Sequence, residues 1–304
     1  MAPMTGFLKA QGETTVATNG EDTVDKATTA EEGESNVMMF TAKDYDTEFD
    51  AAAYLKFYYS DEAMQSGTRL SLFALPMFAH IIKDSLPDPK DRQSFIDVGS
   101  GPTVYSALCF RDVVERIYLT DYVDHSLEIL DSWVNQRDDF NWESVIKIIT
   151  RTEGAMPPNK ATLKQVEDDA RKCVQKGGIL RADVHTKDIC NWEESGSKER
   201  VFDILCSVFC LESACETYQQ YKQCIHRMSN LIRNGGRLII GSVIEERLYT
   251  SGVSKSGKST IFSLLNLTRA FIMECLEEAG MDMTTFKEYC LENQGVLFLM
   301  VTKK

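Results

Sequence analysis

The segment 95–105, FIDVGSGPTVY, constrains the fold of this chain more than any other segment. An apolar run that ends at Gly99 and Gly101 predicts a buried strand followed by a tight turn, in which main-chain N–H groups are open to a ligand. A second apolar run ends at Asp121, about twenty residues after the glycines, where a carboxylate can accept hydrogen bonds from ribose hydroxyls. The pattern predicts a nucleotide-binding βαβ unit of a parallel sheet.

Strand and helix patterns alternate through the remainder of the chain. Apolar runs of strand length lie at 94–98, 116–120, 180–184, 201–208, 237–244, 284–290 and 296–302, and segments of helical periodicity separate most of them. Asn234-Gly235-Gly236 predicts the C-cap of a helix that begins near Tyr218. The polar residues 245–259 predict a loop. Because a short turn joins the last two runs, we expect an α/β fold whose mostly parallel sheet has an antiparallel C-terminal edge.

Charge and cysteine content narrow the class of ligand and the compartment. The net charge of −13 argues against a nucleic-acid partner, which would require a basic face to neutralise phosphates. The nine cysteines include no CxxC pair, which favours reduced, buried thiols of a cytoplasmic protein over a metal site. No apolar run is as long as a membrane span. We expect a cytoplasmic protein that binds a small molecule and neither nucleic acid, membrane nor metal.

Residues 1–36 differ in composition from the rest of the chain. They contain seven acids, two lysines and almost no large apolar groups, so burial cannot offset the entropy of ordering them. We expect a disordered acidic tail, followed by one domain over residues 37–304.

Polar groups follow the carboxyl end of each predicted parallel strand, where doubly wound sheets bind ligands. They are Gly99, Ser100 and Gly101 after the first strand, Asp121 after the second, Asp183 and Val184 after the third, Cys210, Leu211 and Glu212 after the fourth, and Glu245, Glu246 and Tyr249 after the fifth. Asp183 suits an adenine amino group and Val184 the side of the ring. The alternative is structural: a β-turn-helix in which Asp121 is only a helix cap, with Asp183 as a turn residue and Glu245 and Glu246 as solvated loop residues.

Several segments together resemble the family of nicotinamide, phenylethanolamine and indolethylamine N-methyltransferases. They are YLKFYY at 54–59, IDVGSGPTVY at 96–105, TDY at 120–122, FNW at 140–142, CLE at 210–212 and GG at 235–236, and the likeness extends over residues 45–303. The resemblance implies a seven-stranded Rossmann-like core at 94–304, with helices on both faces and an N-terminal helical lid at 37–90. It also implies a protein, which we expect to be a monomer, that transfers a methyl group from S-adenosylmethionine to a small amine nitrogen.

The family motifs, matched position by position, imply a cofactor site. Its residues are Tyr54, Tyr59, Gly99, Ser100, Gly101, Tyr105, Asp121, Tyr122, Ser126, Asp183, Val184 and Val208. Two positions depart from the pattern. Ser126 stands where the family usually has Asn, and Val208 stands where the nicotinamide enzymes have Thr.

The same matching implies a substrate site with two acids. Its residues are Tyr54, Phe209, Glu212, Ser242, Glu246 and Tyr249. Glu212 and Glu246 resemble the acids of the phenylethanolamine enzymes and are our candidate catalytic residues, whereas the nicotinamide enzymes have Asp at the position of Ser242. Two carboxylates suit a protonated amine, so we expect a phenylethanolamine-like or tryptamine-like substrate. Nicotinamide, a pyridine, is the alternative.

Two interpretations of other classes compete with an enzyme of this family. A protein that binds S-adenosylmethionine without catalysis would have the same glycine turn. The segment 252–259, GVSKSGKS, matches the GxxxxGK[ST] phosphate loop of nucleotide triphosphatases. That loop should follow a strand directly and begin a domain, whereas here several residues separate it from the strand that ends at Ile244, and the 45 residues after Ser259 are too few for the sheet of such a domain.

Overall fold

A computed structural model describes residues 37–66, 69–154, 158–192, 199–254, 257–291 and 295–304. The predicted acidic tail, residues 1–36, lies outside the described residues. The strands are β1 Val37–Phe40, β2 Ser94–Val98, β3 Arg116–Asp121, β4 Gly178–Arg181, β5 Phe202–Val208, β6 Ile232–Val243, β7 Leu248–Val253, β8 Ser259–Ser263, β9 Met281–Leu291 and β10 Val296–Lys303. The helices are α1 Tyr45–Glu48, α2 Ala51–Tyr59, α3 Asp61–Ser66, α4 Ser71–Ser85, α5 Tyr105–Phe110, α6 Asp124–Val134, α7 Glu143–Thr152, α8 Lys160–Lys176, α9 Leu211–Ala214, α10 Tyr218–Asn230 and α11 Arg269–Glu278.

Seven strands form one sheet in the order β4-β3-β2-β5-β6-β10-β9. The pairs from β4 to β6 are parallel, and β10 pairs antiparallel with both β6 and β9. This confirms the predicted Rossmann-like sheet with an antiparallel C-terminal edge. The strand order reverses between β2 and β5, and ligands of doubly wound sheets bind at the carboxyl ends of such strands.

Helices cover both faces of this sheet, as predicted. Alternate strand residues divide between two apolar clusters. Phe95 and Ile117 pack with α4, α5, α7 and α8 on one face, and Ile96 and Leu205 pack with α10 and α11 on the other. No helix in the described ranges combines the length and the hydropathy needed to cross a bilayer.

A second sheet, with the order β1-β8-β7, was not predicted. The predicted loop at 245–259 was wrong in part, because β7 forms there and pairs antiparallel with β8. Strand β1 pairs parallel with β8 and lies immediately before the segment that contains α1 and α2. The segment 37–90 therefore contains a strand as well as the expected helices, and that strand attaches it to the C-terminal half of the chain.

Two predicted boundaries also differ from the structure. Helix α10 ends at Asn230, so Asn234-Gly235-Gly236 lies within β6 and is not a helix C-cap. A Cβ on Gly236 would lie 2.8 Å from the Asp203 carbonyl oxygen, so close packing explains this glycine. The third parallel strand is Gly178–Arg181 rather than 180–184, because the chain after it turns back and Ala182 forms an isolated antiparallel bridge with Cys190.

Candidate active site

The glycine turn lies at the carboxyl end of β2. Gly99 and Gly101 have φ values of 77° and 58°, a left-handed conformation that glycine adopts without steric cost. A Cβ on Gly99 would lie 2.2 Å from Cys210 Sγ, so glycine lets the chain after β2 approach the chain after β5. The Gly99 and Ser100 N–H groups both donate to the Thr120 carbonyl oxygen, at 3.0 and 2.8 Å. The turn is thus held against β3 on one side and lies against the start of α9 on the other.

Asp121 ends β3 and faces the same turn. One carboxylate oxygen accepts a hydrogen bond from the Gly101 N–H at 2.7 Å, and the other accepts one from the Val123 N–H at 2.9 Å. Burial raises the pKa of Asp121, and these main-chain donors oppose the rise. The predicted Ser126 is buried nearby in α6, and its hydroxyl forms no hydrogen bond within the described residues. Each carboxylate oxygen has two lone pairs, so Asp121 can still accept from a ligand hydroxyl.

Asp97, on β2 two residues before Gly99, was missed by the sequence reasoning. Its side chain is 2% exposed, Oδ2 accepts from the Ser106 hydroxyl at 2.5 Å, and Oδ1 has no partner among the described residues. Burial raises its pKa to about 7. A buried acceptor without a donor costs free energy, and a ligand donor would remove that cost. The available signal was an acid in an otherwise apolar strand directly before the glycine turn.

Tyr54 and Tyr59 of α2 lie next to the helix that follows the glycine turn. The ring centroid of Tyr59 is 5.7 Å from that of Tyr105 and 6.2 Å from that of Tyr54. Burial raises the pKa of Tyr54 to about 12, and the negative charges of Glu212 and Asp121 add to the rise. The structure therefore brings these three predicted tyrosines together, with Tyr54 in electrostatic range of both carboxylates.

The predicted adenine contacts follow β4. Oδ1 of Asp183 accepts from the His185 N–H at 2.8 Å, and the Asp183 carboxylate is half-buried. Val184 is buried against α10. Tyr122, directly after β3, is 44% exposed. The guanidinium carbon of Arg181 lies 5.0 Å from the centroid of the Tyr122 ring.

Glu212 lies in the short helix α9, directly after β5, and is 1% exposed. Its Oε1 accepts from the Val243 N–H at 2.7 Å, and its Oε2 accepts from the Ser242 hydroxyl at 3.1 Å. Burial raises the pKa of Glu212 to about 7, and both donors limit the rise. A carboxyl group with such a pKa can gain or lose a proton near neutral pH.

Tyr45 was not among the predicted site residues. Its hydroxyl forms a hydrogen bond with that of Tyr249, and the two rings lie 4.2 and 6.0 Å from the ring of Phe262 between centroids. Burial raises the pKa of Tyr45, the Ser213 hydroxyl opposes this rise, and the negative charge of Glu212 adds to it. Helix α1 and the sheet β1-β8-β7 thus place phenol groups near Glu212. The only signal was an aromatic residue in the segment before α2.

The remaining predicted substrate residues differ in their distance from Glu212. Ser242 contacts it directly. Phe209 has a φ of 56°, and its ring packs edge to face on Phe298. Val208, a predicted cofactor residue, is buried at the end of β5. Glu246 is exposed after β6, beside Gly295. Within the described part of the chain no hydrogen bond joins it to Glu212, so its role stays a prediction.

The phosphate-loop alternative does not fit the strands around it. Gly252 and Val253 belong to β7, and Ser259, which pairs with Val253, begins β8. The segment therefore joins two antiparallel strands. A phosphate loop instead joins a strand to a helix whose N-terminus faces the phosphate.

The groups at the carboxyl ends of β2 and β3 fit an adenosine-type ligand with a charged amino-acid end. The prediction that main-chain N–H groups of the turn are open to a ligand was wrong, because those of Gly99 and Ser100 donate to Thr120 and that of Gly101 donates to Asp121. Asp121 can still accept from ribose hydroxyls, and the unpartnered Oδ1 of Asp97 suits a cationic donor. These features agree with the cofactor that the sequence resemblance implies.

Comparison with known proteins gives a family match over nearly all of the described chain. The profile of the NNMT/PNMT/TEMT family matches residues 37–304. The chain is 30% identical to a nicotinamide N-methyltransferase of Caenorhabditis elegans over 287 residues, 93% of this chain and 98% of that protein. It is 26% identical to that of Homo sapiens, covering 87% and 97%. It is 25% identical to a phenylethanolamine N-methyltransferase of Macaca mulatta, covering 66% of each.

Solved structures with a similar fold include an S-adenosylmethionine-dependent methyltransferase from Clostridium acetobutylicum. It has 9% identity and a TM-score of 0.49, and the match covers 82% of this chain and 97% of that one. The family match confirms the resemblance inferred from the sequence motifs. The chain belongs to the NNMT/PNMT/TEMT family and is an S-adenosylmethionine-dependent N-methyltransferase.

Proposed function

We propose that the protein methylates the nitrogen of a small aromatic alkylamine of the phenylethanolamine or tryptamine type. The observation that carries the proposal is the buried carboxyl group of Glu212, whose pKa is raised to about 7. An alkylamine is protonated near neutral pH, so its nitrogen has no lone pair until a base removes a proton. A pyridine nitrogen needs no base. A buried acid with this pKa therefore favours an amine over a pyridine.

The cofactor would be held at the carboxyl ends of β2, β3 and β4. The 99–101 turn and Asp97 would bind its methionine end, Asp121 its ribose, and Asp183 with Val184 its adenine. When bound, S-adenosylmethionine supplies an already activated methyl group, so no covalent protein nucleophile is needed.

Glu212 would attract the ammonium group and accept its proton, directly or through a water molecule. The Val243 N–H and the Ser242 hydroxyl fix both carboxylate oxygens in place, so the base is oriented before the substrate binds. The protein then has to align the nitrogen with the methyl group and exclude water, an effect worth up to roughly 7–11 kcal/mol.

Aromatic side chains would enclose the apolar part of the amine. Tyr45, Tyr54, Tyr249 and Phe262 come from the lid and the small sheet, and Phe49 packs between them, with its ring centroid 5.5 Å from that of Tyr45 and 5.4 Å from that of Tyr54. Such rings suit a substrate with an aromatic group and a cationic end. Glu246 would add a second negative charge after movement of its exposed loop.

Nicotinamide is the second candidate substrate. The supporting observation is the 30% identity, over almost the full length, to a protein named nicotinamide N-methyltransferase. On this alternative Glu212 would hold the substrate amide by accepting its N–H and would not act as a base.

An assay with methyl-labelled S-adenosylmethionine across phenylethanolamines, tryptamines, simple alkylamines and pyridines tests the proposal. We expect the highest kcat/KM with an aromatic alkylamine. Labelling of nicotinamide with a higher kcat/KM than every amine would instead establish the second candidate.

A further inference from the structure

A pair of cysteines lies outside the proposed chemistry and connects two of its segments. Cys215 is the C-cap residue of α9, Cys224 lies within α10, and their Sγ atoms are 3.7 Å apart. The two residues are 2% and 0% exposed. All nine cysteines of the chain fall within the described ranges and are reduced in this structure.

The thiols contact the loop that follows β4. Cys224 Sγ donates to the Val184 carbonyl oxygen at 3.3 Å, and Arg227 donates to the same oxygen at 3.1 Å. His185 bridges the other side, since its Nε2 lies 2.9 Å from the Ala214 carbonyl oxygen and its Nδ1 lies 4.0 Å from Cys224 Sγ. The proposed adenine-binding loop, α9 and α10 therefore meet at these two sulfur atoms.

Cys224 is the more acidic thiol of the pair. The Cys215 thiol and the Arg227 guanidinium lower the pKa of Cys224, whereas the neighbouring Cys224 sulfur and burial raise the pKa of Cys215. The thiolate is the nucleophilic form, so Cys224 would react first. The loop residues 185–188 are exposed, and movement of this loop would admit a small oxidant.

We propose that hydrogen peroxide joins Cys215 and Cys224 in a reversible disulfide that weakens cofactor binding. The Cys224 thiolate attacks the peroxide O–O bond and forms a sulfenic acid, with hydroxide as leaving group. The Cys215 sulfur then attacks the sulfenic sulfur, so that an S–S bond forms and the S–O bond breaks with release of water. In total two thiols and one peroxide give one disulfide and two waters.

Closure of the disulfide would change both neighbouring segments. An S–S bond is about 2.05 Å long, so the sulfur atoms must approach by roughly 1.7 Å from their present 3.7 Å. Helix α10 is 13 residues long with five of them buried, whereas α9 is four residues long with three buried, so we expect α9 to move. The movement would shift Glu212, and oxidation would remove the S–H donor to the Val184 carbonyl oxygen.

Treatment of the full chain with hydrogen peroxide, followed by peptide mapping and calorimetric binding of S-adenosylhomocysteine, tests the proposal. We expect a peptide linked through Cys215 and Cys224, an affinity lowered about fivefold or more, within the usual range of coupling between two sites, and full recovery with a thiol reductant. Binding of this probe requires no methyl acceptor, so the result is independent of the substrate proposed above.

Cysteine variants supply the controls. Cys215→Ala and Cys224→Ala should retain their affinity after peroxide, whereas Cys275→Ala, which removes another buried thiol, should respond like the wild type. Absence of the linked peptide in the wild type would overturn the proposal even if a variant failed to fold. A linked peptide with unchanged affinity would overturn its functional part.

Discussion

At the scale of single residues, the proposed chemistry depends on two carboxyl groups whose surroundings differ. Glu212 has a donor on each oxygen, whereas Asp97 keeps one oxygen without a partner among the described residues. Burial raises the pKa of each to about 7. The first arrangement suits a base that is oriented before substrate binds, and the second suits contact with a cationic ligand group.

The pKa of Glu212 predicts the pH profile of amine methylation. Since the base must be deprotonated, log kcat/KM should rise with pH, with a slope near one, up to about pH 7 and then level off. Glu212→Gln should remove this rise and lower kcat/KM by roughly 10²–10⁴-fold, the usual contribution of a general base. Steady-state kinetics from pH 5.5 to 9 provide the test. The same rise in Glu212→Gln would exclude Glu212 as its origin.

Asp121 should matter for the cofactor rather than for the amine. Asp121→Ala removes the acceptor for the ribose hydroxyls, and a hydrogen bond to a charged group is worth about 1.5–3 kcal/mol, so S-adenosylhomocysteine should bind roughly 10–100-fold more weakly. Calorimetry measures this change. Asp124→Ala, which removes a nearby exposed carboxylate that pairs with Arg181, is the matched control and should bind normally. Equal affinities of the two variants would contradict the ribose assignment.

At the scale of elements, the close approach of the glycine turn to α9 determines the shape of the crevice. Gly99→Ala would place a Cβ against Cys210 and would also strain a left-handed residue. Gly154→Ala is the matched control, because Gly154 has a φ of 79° but no atom within 4 Å of its added Cβ. We expect Gly99→Ala to lower the free energy of unfolding by at least about 1 kcal/mol more than the control. Urea denaturation measures the difference. Equal losses of unfolding free energy in the two variants would show that small shifts of the neighbouring atoms relieve the steric clash with Cys210.

The strands at the centre of the sheet could be predicted, whereas the elements that surround the site could be predicted only in part. Buried parallel strands such as β2 and β5 are mostly apolar runs, so their pattern is visible locally. Strand β7 is mostly exposed or half-buried and includes Gly252, and its pairing with β8 and thereby β1 depends on residues far apart in the chain. The helix Glu143–Thr152 has only four buried residues and was not predicted either.

The candidate site likewise contains residues that could be predicted from the sequence and residues that could not. Gly99, Gly101 and Asp121 could be found because spacing along one βαβ unit places them. Tyr45 could not be found in this way, because its neighbour Tyr249 is 204 positions away along the chain. The two residues meet only because α1 packs beside the sheet β1-β8-β7.

At the scale of the whole molecule, the buried acid couples folding to pH. The pKa of Glu212 rises from 4.5 to about 7 on folding, so the folded state binds its proton more tightly. Protonated Glu212 therefore contributes at most about 3 kcal/mol to the free energy of unfolding. This contribution is fully present below about pH 4.5 and is lost as the pH rises through about 7. Glu212→Gln should gain stability relative to the wild type by up to this amount between pH 4.5 and 8. Urea denaturation of both proteins at pH 4.5 and pH 8 measures this gain. If the difference in unfolding free energy between variant and wild type is the same at both pH values, the pKa of Glu212 is not raised by folding.

The role of Glu212 as the base for an amine substrate is tested most directly by the ratio of kcat/KM for phenylethanolamine to that for nicotinamide, measured in the wild type and in Glu212→Gln. If Glu212 deprotonates an amine, the ratio should favour phenylethanolamine in the wild type. It should then fall by roughly 10²-fold or more in the variant, because only the amine needs the base. A wild-type ratio that favours nicotinamide, or an equal loss for both acceptors in the variant, would contradict the account.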